Sequence, residues 1–406
     1  MIENGAVIVS GSRIQALGRW SRLKSEPGHR IIDLGDVVLL PGLVNAHCHL
    51  DYTDMAGQFP PPRVFSEWLK VITSTKAGWD LSDFSQSWHR GAEMLARTGT
   101  TTVGDIEAVP QLLPQAWRTT PLRVLSFLEM IGITARRPPN TVLEEALDKI
   151  RSLGHAGRDV GLSPHAPYST VPELLRLTSQ TARRGGRRLC THVAESSLEY
   201  AMFARGRGEM FAWLKRSGRD MADCGLGSPI QHLERHGLLG ENLLVAHANY
   251  LGRKDAQRLA QHKVSVVHCP RSHAYFHHDR FPLPRLLRAG VNVCLGTDSL
   301  ASVLKSGRQK PELNMFEEMR ALAHRAPSLS PRRILEMATT HGAMALGMAG
   351  KVGELAPGAL ADLIAVPCKG KASGVYDCVL NHHGAVLASL IGGRWAVKPD
   401  AIPKAQ

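Results

Sequence analysis

The chain contains no run near the ~18 uninterrupted apolar residues that a membrane span requires. Its N-terminus lacks the basic, apolar and small-residue order of a signal peptide. No C-x-x-C pair occurs, and the seven cysteines (Cys48, Cys190, Cys224, Cys269, Cys294, Cys368 and Cys378) are odd in number and scattered. That pattern argues against a disulfide framework and for idle thiols in a reducing cytoplasm. A dense basic stripe is also missing. Lys and Arg exceed Asp and Glu by 49 to 36, a formal charge of +13, but in short groups such as Arg183-Arg184 and Arg187-Arg188. Dispersed arginines read as solvated faces, so neither a nucleic-acid nor a membrane partner is expected. The remaining use of the charge is to draw an anionic small substrate toward a cleft.

What is present has a clear rhythm. The 406 residues allow one large core and a smaller unit. Short β-rich runs broken by Gly and Asp occupy both ends, at 5–16 and 30–40, then at 359–366 and 386–397, where Gly392-Gly393 marks a hairpin. Residues 1–41 and 351–406 are therefore expected to build one small β-sandwich. Met1 leads straight into Ile-Glu-Asn-Gly, so its first strand is expected to be missing or shortened. Between the ends, eight β-branched segments (42–47, 100–105, 122–129, 158–165, 188–195, 243–249, 264–270 and 291–298) alternate with helical stretches such as 171–184, 252–262, 312–325 and 331–346. Eight strands alternating with helices predict an α/β fold, a (β/α)8 TIM barrel over 42–350. Residues 196–242 form the longest excursion, read either as a substrate lid or as a plain surface insertion.

Chemistry collects at the strand ends. His47 and His49 flank Cys48, and in an extended strand positions i and i+2 face the same side. Strand five supplies His192 and then Glu195, and strand eight ends in Thr297-Asp298-Ser299. An isolated H-x-H is weak evidence. Three histidines and one aspartate at predicted strand ends together suit a borderline divalent ion, zinc or iron, with a position left for water. His165, His247 and His268 also end strands. His247 lies on the strand beside that of His192 and suits a group that orients the attacking water, whereas His268 reads as structural.

The segments PGLVNAHCHLD, SPHAPYS, THVAES, LVAHANYL, VVHCPRSH, LGTDSLAS and LNMFEEMR, in this order over residues 5–397, resemble the amidohydrolase superfamily. They are most similar to its cytosine deaminase/chlorohydrolase branch, which includes adenosine-type deaminases and triazine hydrolases. The resemblance implies a barrel with a sandwich from both ends. It implies His47, His49, His192 and Asp298 as metal ligands, Glu195 as proton shuttle, His247 as the water-orienting group and His165 as a substrate contact. Binuclear members carry a lysine at the end of strand four. Here that strand ends in GLSPHAPY, so one metal ion is implied. The implied reaction is hydrolytic deamination of an aminated purine, pyrimidine or modified adenine nucleoside, of aminodeoxyfutalosine type among others. Hydrolysis of a ring C–Cl bond, cyclic amide or guanidine is the alternative, and a non-catalytic binding protein a third. Glu67-Trp68-Leu69 resembles the E-W-L of S-adenosylhomocysteine deaminases and puts Trp68 at the substrate. In KVITSTKAGWD, where those enzymes have a ribose-contacting acid about ten positions later, no acid occurs until Asp80. His273 stands where the branch commonly has Asn. Glu129, His273 and Ser299 complete the expected contacts to a small heterocyclic substrate, and Arg136, Arg137, Arg205, Arg207 and Arg271 are candidates for an anionic substituent. A homodimer is implied by analogy with the branch.

Overall fold

The computed structural model describes residues 1–24, 28, 30–62, 64–305, 310–369 and 372–399. The parts of the expected terminal unit at 25–27, 29, 370–371 and 400–406 lie outside the described residues. Fourteen strands are present among those described: β1 (Gly5–Ser10), β2 (Arg13–Arg19), β3 (Val37–Pro41), β4 (Leu43–Cys48), β5 (Thr100–Glu107), β6 (Arg123–Met130), β7 (Gly161–Pro164), β8 (Leu189–Val193), β9 (Leu243–His247), β10 (Ser265–His268), β11 (Asn292–Leu295), β12 (Leu363–Pro367), β13 (Ala388–Ile391) and β14 (Arg394–Val397).

Strands β4 to β11 form one parallel sheet in sequence order, and each falls on one of the eight β-branched segments. Helices return the chain between successive strands, which is what parallel pairing demands. The sheet closes where β11 meets β4. Thr297 N and Asp298 N both donate to His47 O at 3.1 Å, and Asn45 Nδ2 donates to Thr297 Oγ1 at 2.7 Å. Gly296 makes this seam possible, because a Cβ there would lie 2.7 Å from His47 O. The molecule is thus a (β/α)8 barrel. Its interior is filled by Val44, Ala46, Ile106, Leu125, Phe127, Cys190, Leu244, Val267 and Cys294, and the helix Thr340–Ala345 contributes Ala343 and Ala345 to the same cluster. The barrel is a packed core with chemistry left to its C-terminal rim.

The chain ends meet as the runs at 30–40 and 359–397 suggest. Strand β12 pairs antiparallel with β3 and β13, and β13 with β14, giving the order β14-β13-β12-β3. The β13–β14 turn is Gly392-Gly393, with φ of 56° and 75°, the left-handed pair that a two-residue hairpin requires. The hairpin β1–β2 forms a separate two-stranded sheet, tied to the C-terminal part by Ile14 N to Ala359 O. One thiol expectation is corrected. Cys368 and Cys378, ten residues apart in the sequence, are joined in a disulfide. Cys48, Cys190, Cys269 and Cys294 are free and buried. No helix among the described residues is long and apolar enough to cross a membrane.

Candidate active site

The site begins with a bulge. Val44 and Ala46 point into the barrel interior while Cys48 packs in the outer apolar layer, so the alternation of β4 slips by one residue. The pairing of β4 with β5 shifts register between Asn45 and Cys48. This slip turns both His47 and His49 toward the barrel mouth. Simple i, i+2 alternation predicts that they share a side. It does not predict that they share it with Ala46.

His47, His49, His192, Glu195, His247 and Asp298 are all brought together and are at most 6% exposed. The ring nitrogens of His49 and His192 (Nε2 to Nε2) lie 3.2 Å apart. Asp298 Oδ1 lies 3.7 Å from His47 Nε2 and 3.8 Å from His49 Nε2. Ligand atoms of His47, His49 and Asp298 lie within 4.8 Å of one another, as do those of His47, His192 and His247, and of Glu195, His247 and Asp298. A tetrahedron with metal–ligand bonds of ~2.1 Å has edges of ~3.4 Å, so these separations fit ligands around one ion. His47 Nε2, which faces Asp298, is buried without a hydrogen-bond partner, a cost that an ion at the cluster would remove. Burial first, and then the neighbouring imidazoles, hold the pKa values of His47, His49 and His247 well below the usual histidine range. Neutral rings are what a metal needs.

Side chains behind the cluster orient it. His192 Nδ1 donates to His165 O at 2.8 Å, which turns Nε2 toward His49. Asp298 Oδ2 accepts from Ser272 Oγ at 2.6 Å and from Ser302 Oγ at 3.1 Å, leaving Oδ1 to the histidines. Four of the seven non-glycine residues with positive φ among those described sit here: Ala194, His247, Ala248 and Asp298. Such backbone strain, worth ~1–3 kcal/mol each, is held only where the surroundings enforce it.

Glu195 is the reactive-looking acid. Its Oε1 lies 3.6 Å from His247 Nε2. Burial, followed by the charges of Asp298 and Glu199, pushes its carboxyl well above the usual carboxylate range, the direction that suits an acid which must carry protons during turnover.

Of the expected substrate contacts, His165 packs against the cluster, its ring centroid 4.9 Å from that of His192. His165 Nε2 is 4.0 Å from Glu129 Oε1. His273 Nδ1 bonds Asn249 Oδ1 at 3.1 Å, and Ser299 is buried just beyond Asp298. Trp68, on the helix Phe65–Ala77, packs with Phe65 and Phe276 and reaches Ala301 O through Nε1 at 3.4 Å. His268 stacks on Phe281 at 3.8 Å, a packing role. Arg271 is not free for a substrate anion, because its guanidinium and its backbone N–H are bound by the buried Glu318. Arg137 pairs with Glu145 on the surface.

Residues 196–242 brace the site. Arg219 is only 3% exposed and donates to Pro167 O at 3.2 Å and Tyr168 O at 3.1 Å, in the loop that follows His165. Sequence reading missed Ser272, Ser302, Asn249, Glu199 and Arg219. Only Glu199 carried a local signal, as the last residue of Ser196-x-x-Glu199, a helix-start pattern.

Residues 38–382 match the sequence model described as the Amidohydrolase family. A 5-methylthioadenosine/S-adenosylhomocysteine deaminase of Syntrophobacter fumaroxidans is 33% identical over 386 residues, covering 90% of this chain and 80% of the relative. Among solved structures, an adenosine deaminase from Xanthomonas campestris with bound zinc superposes with a TM-score of 0.83 at 24% identity, covering 100% of this chain and 91% of the other. A Helicobacter pylori aminofutalosine deaminase in complex with methylthio-coformycin superposes with a TM-score of 0.85 at 22% identity, covering 98% and 96%.

Proposed function

Because the chain belongs to the amidohydrolase family, we propose that it is a metal-dependent hydrolase of carbon–nitrogen bonds that deaminates a modified adenine nucleoside or a related aminated heterocycle, releasing ammonia. The observation that carries this reading is the placement of the buried Glu195 carboxyl, 3.6 Å from His247 beside the histidine–aspartate cluster. His47, His49, His192 and Asp298 would hold one divalent ion, and their N/O donor set supports zinc, with iron the alternative. A divalent ion in such a site lowers the pKa of a water toward ~7 and so supplies the nucleophile.

The chain's own groups do the rest. His247 holds the attacking water in line with the amino-bearing ring carbon. Glu195 accepts one proton of the water and passes it to the neighbouring ring nitrogen, then carries the remaining proton of the added hydroxyl to the amine, which leaves as ammonia while the carbonyl forms. Glu129 and His165 line one side of the ring, with Trp68, His273 and Ser299 as the other contacts. The similarity to a methylthioadenosine/S-adenosylhomocysteine deaminase supports a nucleoside substrate. Four buried free thiols support a cytoplasmic setting, and the Cys368–Cys378 bridge is the observation against it. A homodimer is the assembly we expect on light scattering.

Elemental analysis of the purified protein, with ammonia release screened over adenine nucleosides, aminopurines, aminopyrimidines and aminodeoxyfutalosine, tests the reading. One zinc or iron per chain and release from one compound class is the expected result. Metal without ammonia from any member would redirect the assignment to hydrolysis of another bond. Folded protein that retains no divalent metal after reconstitution would overturn it.

A further inference from the structure

The turn that carries Glu195 is held in an unusual way. Ser196 caps the helix Ser197–Arg205 by accepting Glu199 N at 3.2 Å. In a common capping box the glutamate three residues on would reach back to the backbone N–H of the capping serine. Here it does not. Its carboxylate turns further back and takes two earlier donors, Ala194 N at 3.0 Å on Oε1 and Glu195 N at 2.9 Å on Oε2. Glu199 is fully buried, and both bonds lie out of water. Ala194, between them and β8, has a φ of 51° that a non-glycine residue adopts only when held. From the other side, Asn249 Nδ2 donates to Glu195 O at 2.9 Å, and Tyr250 N donates to Ala194 O at 3.0 Å. Both main-chain polar groups of Glu195 are thus tied by buried side chains, neither of which touches the ion-binding cluster.

We propose that Glu199 is a positioning residue for the reaction: its carboxylate clamps the Ala194–Glu195 turn and fixes where the Glu195 carboxyl meets His247 and the substrate, with Asn249 completing the clamp. The proposal rests on the deaminase reading of the site. Glu199 is conspicuous because a carboxylate alone presents two acceptors to two parallel N–H groups. Glu199→Gln keeps one acceptor and sets an N–H against the other donor, and Glu199→Asp keeps the charge but shortens the reach by one methylene.

The test uses the metal-loaded full chain. Glu199→Gln is expected to lower kcat by about 10²-fold, the order of loss that a misplacement of ~1 Å produces, with KM changing less than ~3-fold and metal content unchanged. Glu199→Asp, the variant to use should the first fail to fold, is expected to behave alike. Ser196→Ala, which removes the bond to Glu199 N but neither bond of the Glu199 carboxylate, should keep kcat. Hydrogen exchange of peptides covering residues 193–200 should speed up at Ala194 and Glu195 in the Glu199 variants. Kcat within ~3-fold of wild type in a folded variant, or an equal loss in Ser196→Ala, would overturn the proposal. Should the wild type release no ammonia from any substrate, the deaminase reading fails by itself. The exchange data then decide the clamp, which unchanged protection at Ala194 and Glu195 would refute.

Discussion

Replacing Arg219 by Met removes a charge from a place water hardly reaches. The side chains of Arg219 and Asp223 are 1% and 10% exposed. They are joined by two parallel bonds of 2.7 Å, and Arg219 also serves the carbonyls of Pro167 and Tyr168. Met fills most of the same volume but leaves Asp223 with His232 Nε2 at 3.7 Å as its other charged-capable neighbour. Breaking a buried pair by deleting one partner costs about 3–5 kcal/mol. With an unfolding entropy of ~2.1 cal/mol/K per residue over 406 residues, cooperative melting would fall by about 4–6 °C. Burial raises the pKa of Asp223, but the Arg219 bonds more than offset it, so the carboxyl sits below its usual range. A depressed carboxylate contributes stability above its unfolded pKa, and that contribution is lost as pH falls through the folded value. The gap between wild type and variant should therefore be full at neutral pH and narrow below about pH 4. The double variant Arg219→Met/Asp223→Leu should recover much of the loss, because an apolar pair replaces an ion pair at little net cost. Calorimetry of the four proteins of this cycle is the assay. A Met variant melting within ~1 °C of wild type, or a double variant no better than the single, would refute the reasoning. The His165 loop hangs on the same guanidinium, so KM should rise in the single variant.

Glu195→Gln should lower kcat by ~10²–10⁴-fold with metal retained. Near-normal turnover, or loss of the metal, would remove Glu195 from its role as proton carrier. Ser272→Ala and Ser302→Ala should each weaken metal affinity by ~10–100-fold in chelator competition, since both hydroxyls hold Asp298 Oδ2; unchanged affinity in both would show that the carboxylate needs no orienting. Burial pushes Asp105 up to about 7 despite the bonds it accepts from Leu50 N and Trp88 Nε1. Its proton stays on in the fold but leaves near ~3.9 in the unfolded chain, so stability falls as pH rises from about 4 to about 7 and is flat above. Asp105→Asn lacks that slope and should gain on wild type across the window in urea denaturation, and a constant difference would count against it.

Much of the barrel was legible because parallel strands, buried on both faces, leave uninterrupted apolar segments that end abruptly in polar residues. All eight were found this way, and the ligand candidates followed from being the residues at those ends. The hairpin at Gly392-Gly393 was equally plain, because a two-residue turn of that hand all but demands glycine. The clamps were not legible. Ser272 lies 26 residues from Asp298, and Arg219 lies 52 from Pro167, and a serine or an arginine in a loop carries no local sign of its partner. Arg271 illustrates the reverse error. As a basic residue beside a strand end it suggested an anion contact, and only the approach of Glu318, 47 residues later, shows the charge already taken.

By itself, then, the sequence determined the barrel, the β-rich character of its two ends and the histidines and acids at the strand ends, because each is written in local periodicity or in a residue type at a strand end. The tertiary structure decided the rest. The bulge in β4 chose the side that His47 and His49 face, burial set the protons on Glu195 and the imidazoles, and buried partners from distant segments fixed the carboxylate of Asp298 and the turn beneath Glu195. Those are properties of proximity and desolvation, which exist only once the chain has closed on itself.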